Sequence, residues 1–259
     1  MTSTTLDWLI IGGGIHGVHI AARLIHEGEV PPDQLRLVDP AERLLDRWRT
    51  CTATTGMTHL RSPSVHNLDI TPRSLDRFAR ERRSREPDIF VPPYDRPSLD
   101  LFNAHCDHVV KTFGLADLHV QARAVTCDID SDGVTVALSG GEELHAHKVV
   151  LAMGASEQPF WPDWAPHDHP HVHHVFQPGF EGWPATDGCE AVAVVGGGIS
   201  ACQVALRLHR EGHQVHLLSR GALREHQFDS EPGWLGPKHM AGFSRIQELD
   251  RRRAVIHQA

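Results

Sequence analysis

Two glycine clusters constrain this chain more than any other feature. Gly12-Gly13-Gly14 and Gly196-Gly197-Gly198 each stand between an apolar run and a helical pattern. The first apolar run is Trp8 to Ile11. Ile15, Val18, Ala22 and Ile25 then recur at helical spacing until Gly28 and Pro31-Pro32 stop them. A second short strand, Leu35 to Val38, ends at Asp39. In the second cluster, Ala191 to Val195 leads in, a helix carries Val204, Leu206 and Leu208, Gly212 ends it, and Val215 to Leu218 closes the unit. Each is a strand-turn-helix-strand unit, the element from which parallel sheets are built. Two copies so far apart are a duplicated fold element, not a short-period repeat.

The spacing within each cluster carries chemistry. Gly12-x-Gly14-x-x-Gly17 uses its first glycine for the tight turn, its second for approach of a pyrophosphate, and its third for helix–strand packing. The helix N-terminus then offers unpaired N–H groups to phosphate, with Ile15 and His16 as neighbours. Asp39 lies 22 residues beyond Gly17, where a carboxylate accepts ribose hydroxyls. Gly196-x-Gly198-x-x-Ala201 repeats the pattern, with Ser200 in the turn, but its second strand ends in Ser219-Arg220. An acid there repels a 2′-phosphate, whereas Arg and Ser bind one. The second site is therefore expected to prefer NADPH to NADH.

Between the units the pattern is weaker. Ala41 to Trp48 reads as a helix, Thr50 to Asp69 as loop, and Thr71-Pro72 as a helix start. Six arginines fall between Arg73 and Arg85, which reads first as a solvated face and second as a phosphate-facing or lid element. Ser98 caps an amphipathic helix with Leu99, Phe102, Cys106, Val109 and Phe113 on one side, ended by Gly114. Strands follow at Leu118 to Val120, Ala124 to Ile129, Val134 to Leu138 and Leu144 to Ala152, with turns at Asp132-Gly133 and Gly140-Gly141.

Composition narrows the class. A formal charge of −8 argues against a general nucleic-acid binder. No apolar run approaches the roughly 18 residues of a membrane span, and the chain enters its first strand with no basic leader, so neither a membrane segment nor a signal peptide is expected. The five cysteines include no C-x-x-C pair. Scattered thiols suit a reducing, cytoplasmic setting and exclude a dithiol redox motif. His167, His169, His171, His173 and His174 crowd one Pro-interrupted stretch, but no Cys or carboxylate cluster joins them in a ligand spacing. No metal site is expected, and no Ser/His/Asp arrangement stands out.

With both motifs in hand, the chain resembles the FAD/NAD(P)-dependent oxidoreductases with two dinucleotide-binding domains. WLIIGGGIHG (Trp8 to Gly17) looks like their FAD fingerprint, and AVAVVGGGISA (Ala191 to Ala201) like their NAD(P)H fingerprint. KVVLAMG (Lys148 to Gly154) is similar to the strand that ends in Ala-Thr-Gly in that superfamily, with Met153 in place of Thr. Val125 matches the position whose backbone contacts adenine.

The resemblance implies an α/β fold: two Rossmann-like dinucleotide-binding domains with a β-meander in the first. It divides the chain into an FAD-binding domain over 1–160 with an insertion at 48–97, a linker over 161–190, and an NAD(P)H-binding domain over 191–259. The C-terminal part reads as truncated, because no Gly-Asp segment returns to the flavin. The long insertion resembles the N-hydroxylating flavin monooxygenases, with MTHLRSP (Met57 to Pro63) as the stretch beside the flavin. Met57, His59 and Arg61 are the flavin-side candidates, and no catalytic residue is assigned. PHVHHV (Pro170 to Val175) stands where those enzymes carry a His-containing linker. The Baeyer–Villiger signature is unmatched after Phe176 and Gly179.

The function implied is an FAD- and NADPH-dependent monooxygenase that hydroxylates a small polar substrate with oxygen. The alternatives are a flavin-dependent reductase passing electrons to a quinone or carrier, and a nucleotide-binding module without turnover. The partners expected are substrate and oxygen, with a homo-oligomer allowed and no nucleic acid or membrane.

Overall fold

The computed structural model describes residues 5–82, 89–92, 94–154, 158–180, 182–183, 191–225 and 232–258. These residues form two compact units, Met1–Arg220 and Gly221–Ala259.

In the first unit, strand β1 (Leu6–Ile11) leads into helix α1 (Ile15–His26), then β2 (Leu35–Asp39) and α2 (Asp46–Thr55). Helix α3 (Ser74–Glu81) and the short strands β3 (Phe90–Val91) and β4 (Arg96–Pro97) precede α4 (Leu99–Thr112). Strands β5 (His119–Gln121), β6 (Ala124–Ile129), β7 (Val134–Leu138) and β8 (Glu143–Leu151) follow. The unit closes with β9 (Ala191–Val195), α5 (Ile199–Arg210) and β10 (Gln214–Leu218).

The main sheet has the order β5-β2-β1-β8-β7-β6. Strands β5, β2, β1 and β8 run parallel, and β8, β7 and β6 are antiparallel. Strand β8 serves both halves: Glu143–Ala146 pairs with β7, and Ala146–Leu151 pairs with β1. Strands β9 and β10 make a separate parallel pair.

The continuous apolar run of β1 follows from burial on both faces. Ile10 joins Val18, Ala21 and Ala22 of α1 and Leu101, Phe102, Cys106 and Val109 of α4 in the main core. Leu9 and Ile11 point the other way, into a second cluster with Val38, Val136, Leu138 and Ala146.

The second glycine unit has a smaller core of Val194, Val204 and Leu208. The Gly221–Ala259 unit carries helices α6 (Pro237–Phe243) and α7 (Leu249–Gln258). Trp234 meets Phe243 edge-on at 5.9 Å, and the Arg252 guanidinium lies 5.3 Å from the Phe243 ring.

The segment between β2 and α4 departs from the sequence expectation. The helix expected over 41–48 begins only at Asp46 and runs on to Thr55, through residues expected to be loop. Residues 41–45 instead turn across the first glycine loop: the Leu45 N–H donates to the Gly13 carbonyl at 2.8 Å, and Leu45 sits at φ 69°. A tertiary bond to another element overrides the local pattern there. Helix α3 likewise starts at Ser74 behind a left-handed Arg73, not at Thr71. The reason is side-chain competition: Asp69 accepts the Ser74 hydroxyl and, at 3.1 Å, the Thr71 N–H, closing a turn where a helix would have begun. The helix led by Ser98 forms as read, its hydroxyl accepting the Leu101 N–H at 3.3 Å.

Candidate functional site

The carboxyl ends of β1, β2 and β8 meet on one rim, the place where parallel sheets bind ligands. Gly12 opens that rim at φ 115°, and its N–H donates to the Val38 carbonyl at 2.8 Å. A Cβ on Gly12 would stand 2.4 Å from the Ala152 carbonyl oxygen, so the end of β8 presses directly on the loop. A Cβ on Gly17 would stand 1.8 Å from the Gly12 carbonyl oxygen. Both glycines are demanded by close approach. Gly14 differs: an added Cβ there meets nothing within 4 Å. That open side faces the start of α1, whose first N–H groups have no partner within the helix.

Asp39 ends β2 at the same rim. Its Oδ2 accepts the Gly13 N–H at 2.6 Å, and its Oδ1 accepts the Ala41 N–H at 2.9 Å. The carboxylate is thereby oriented before any ligand arrives. The Asp39 carbonyl accepts the Ala122 N–H at 3.2 Å, which draws the entry to β6 to the same edge. Val125 lies at a register shift between Ala124 and Thr126, so it is the extra residue of a β-bulge, and it is 63% exposed. A bulge leaves backbone groups unpaired. Met153 and Gly154 follow β8 on the rim and are both exposed, as is His16. An open glycine face, a helix N-terminus, a fixed carboxylate and a bulged strand suit an adenosine diphosphate moiety, so the residues fit the adenosine diphosphate half of FAD.

The second loop reproduces the backbone of the first. Gly196 has φ 145°, and its N–H donates to the Leu218 carbonyl at 2.8 Å. This equivalence places Ser219 where the first unit has Asp39, with Arg220 next. Both are exposed at the end of β10. Gly198 is open as Gly14 is, with nothing within 4 Å of an added Cβ, and Ser200 is half-buried in the first turn of α5.

Met57, His59 and Arg61 lie on one extended segment after α2. The neighbouring Leu60 N–H donates to Pro97 at 3.0 Å, and the Leu99 N–H donates to Thr58 at 2.8 Å. Met57 packs against the main core. His59 faces Ser98 across an isolated bridge and shares a hydrogen bond with the Thr58 hydroxyl at 3.2 Å. On α3, Leu75 and Ala79 are buried while Arg73, Arg77, Arg80 and Arg82 are exposed, which gives the solvated face. Arg83 and Arg85 lie outside the described residues.

One arrangement escaped the sequence. The Ser74 hydroxyl donates to Asp69, and Ser74 Oγ lies 3.0 Å from His105 Nε2. Ser74 has spent its proton on the carboxylate, so His105 donates through Nε2 and its Nδ1 carries the lone pair. That Nδ1 is buried without a partner among the described residues. Burial lowers the His105 pKa to about 4, against the favourable charge of Asp69 and together with the unfavourable one of His108. For Asp69, burial works upward but is outweighed by the Ser74, Thr71 and Ile70 hydrogen bonds and by His105, leaving the pKa lowered. The Ser74 proton is directed at the carboxylate and not at the imidazole, so His105 is not placed to activate the serine and the group is a structural tie. His105 lies 31 residues beyond Ser74, which is why no spacing signal revealed the group. Nearby, burial pushes the Cys106 thiol up to about 12, a rise added to by Asp107 and opposed by Arg49.

The crowded histidines make ring contacts. His167 stacks on Trp161 at 4.7 Å, His174 approaches the same ring at 5.7 Å, and His173 meets Phe180 at 5.7 Å. Among the described residues, no group of three or more His, Cys, Asp or Glu side chains could hold a metal ion.

Fold and rim together define a dinucleotide-binding protein built on two glycine-loop units. The chain belongs to the FAD-NAD(P)-binding family, whose model matches residues 9–156. A second family model, pyridine nucleotide-disulphide oxidoreductase, matches residues 191–233. No curated protein matches the chain. Among solved structures, the flavin-containing monooxygenase from Stenotrophomonas maltophilia is similar at TM-score 0.60 and 15% identity, over 85% of this chain and 59% of that one. The bacillithiol disulfide reductase from Staphylococcus aureus gives 0.62 and 20%, over 92% and 63%. An oxidized steroid monooxygenase bound to NADP gives 0.63 and 17%, over 98% and 50%. The chain thus spans half to two thirds of these proteins. No described helix is long and apolar enough to cross a membrane.

Proposed function

We propose that this chain is the two-nucleotide core of an FAD- and NADPH-dependent monooxygenase acting on a small polar substrate. The observation that carries the reading is the pairing of two loops with one backbone and different chemistry. One ends in a carboxylate fixed on Gly13, and the other in Ser219-Arg220. The first loop would hold FAD, with Gly12, Gly14, Ile15, His16 and Gly17 around the pyrophosphate. Asp39 would take the ribose, Val125 the adenine, and Met153-Gly154 the inner edge. The second would hold NADPH through Gly196, Gly198 and Ser200, with Arg220 and Ser219 on the 2′-phosphate. When bound, FAD supplies the hydride acceptance and oxygen chemistry. The chain's own residues bind and orient. Met57, His59 and Arg61 are proposed as the flavin-side wall, and none is given a proton-transfer role.

The domain division at 1–160, 161–190 and 191–259 belongs to this proposal. So does a cytoplasmic setting, which the free thiols of Cys51, Cys106, Cys127 and Cys202 favour. The match of residues 191–233 to the disulphide-oxidoreductase model favours a second reading, a reductase that hands electrons to a quinone or carrier. With no C-x-x-C in the chain, its acceptor would be external.

The purified chain is loaded with FAD, and NADPH oxidation is followed with oxygen uptake and product analysis over a panel of small amines and acids. Oxygen uptake matched by hydroxylated product supports the monooxygenase. NADPH oxidation accelerated only by a quinone or carrier replaces it with the reductase. A chain that stays colourless in excess FAD defeats both.

A further inference from the structure

Helix α2 connects the two glycine loops. At its start, the Leu45 N–H donates to the Gly13 carbonyl at 2.8 Å, inside the first loop. Its ten residues carry the chain about 15 Å at helical rise. At its end, Gly56 takes the left-handed conformation at φ 68°, and the Met57 N–H returns to the Thr52 carbonyl at 3.1 Å. The Gly56 N–H also donates to the Ala53 carbonyl at 3.1 Å, which leaves the second lone pair of Ala53 and the Thr54 carbonyl for outside donors.

The donors come from the far side of the unit. Arg207 of α5 donates from Nη1 to the Ala53 carbonyl and, at 3.1 Å, to the Thr54 carbonyl. The indole N–H of Trp183 reaches the Thr54 carbonyl at 3.2 Å. Arg207 is itself held, its Nε donating to Glu211 at 2.8 Å. A Cβ on Gly56 would lie 2.9 Å from both Cβ and Cδ of Arg207, so the arginine stem rests on bare glycine backbone. The cation also sits at the negative end of the α2 dipole. Helix α5, which carries Arg207, begins at Gly198 of the second loop.

We infer that the Arg207–Gly56 joint is a positioning device that fixes the second nucleotide loop relative to the first. The path is continuous: Gly13, Leu45, α2, the α2 carbonyls, Arg207, α5 and Gly198. Arg207 belongs to neither glycine loop. With both cofactors bound, it would set the distance across which hydride would pass from NADPH to FAD. The functional consequence rests on the two-cofactor reading above, whereas the mechanical one does not.

The test separates the two. Spin labels carried on unnatural side chains at the exposed positions 42 and 210 report the distance between the two halves in the ligand-free full chain. FAD and NADPH affinities are measured separately by fluorescence titration. The limiting rate of anaerobic flavin reduction is read at saturating NADPH. R207A is expected to broaden the distance distribution and to slow reduction at least tenfold, with both affinities within twofold of the parent. R207K, which can still reach one carbonyl, should recover part of both effects. An unchanged distance distribution in R207A overturns the joint. A changed distribution with an unchanged reduction rate keeps the joint and overturns its role in hydride transfer. If the parent chain fails to bind a nucleotide or to pass hydride, the function reading falls alone, and the distance measurement still decides the joint.

Discussion

The two glycine units share a backbone bond and differ in almost everything around it. Gly12 N–H to Val38 and Gly196 N–H to Leu218 are both 2.8 Å long. Around the first, β1 is flanked by β2 and β8, and a core that includes α1 and α4 fills one face. Around the second, two strands and one helix bury Val194, Val204 and Leu208, while Val195 and Leu218 remain 57% and 53% exposed. The first unit is therefore tight enough that a methyl group in place of a glycine hydrogen is felt. The second has space, and α2 reaches across to hold it. The same loop is a packing element in one place and an open shelf in the other.

The third motif position breaks this comparison most sharply. Gly17→Ala puts a methyl group into the Gly12 carbonyl and should cost at least about 4 kcal/mol, with loss of FAD binding. The reciprocal change, Ala201→Gly, only adds backbone freedom to α5 and should cost about 1 kcal/mol. Urea unfolding of the two variants reads both. Equal costs would mean that the first loop is no tighter than the second.

Acid should act next, and on the first region. His105 has a pKa of about 4 in the fold against 6.5 when unfolded, so the unfolded chain binds the extra proton between those values. Stability from this group is complete above pH 6.5 and is lost as pH falls toward 4, to a total of about 3 kcal/mol. His105→Gln should flatten that part of the stability profile. An unaltered slope in the variant would show that His105 does not titrate there.

The two strand ends give smaller effects. Asp39→Ala removes an oriented acceptor and should weaken FAD binding by about 2 kcal/mol, leaving NADPH affinity alone. Arg220→Ala should weaken NADPH binding by about 1.5 kcal/mol and NADH hardly at all. Equilibrium titrations of each variant with FAD, NADPH and NADH check the pair. If Arg220→Ala lowers both coenzymes equally, the arginine does not read the 2′-phosphate.

Much of this was legible from residues alone. A Gly-x-Gly spacing after an apolar run can satisfy few backbone geometries, so the strand-turn-helix units and the Ser98-capped helix form where the pattern puts them. The meander strands follow from alternation bounded by Asp132-Gly133 and Gly140-Gly141. The stretch from 41 to 74 was not legible in the same way. Its backbone is set by bonds to distant partners: Leu45 to Gly13, Leu60 to Pro97, and Ser74 to His105. Local propensity contains no record of such partners.

The amino-acid sequence by itself determined the two loops, the carboxylate at the end of one and the arginine at the end of the other. Each depends on contacts within about thirty residues, where turn geometry and helix dipole act locally. Only the tertiary structure decided that Asp39 is already fixed on Gly13, that Asp69, Ser74 and His105 form a tie, and that Arg207 closes α2. These are meetings of side chains brought together by burial of apolar surface, which is non-directional. A chain pattern states what must be buried, and the packed core alone settles which polar groups then face one another.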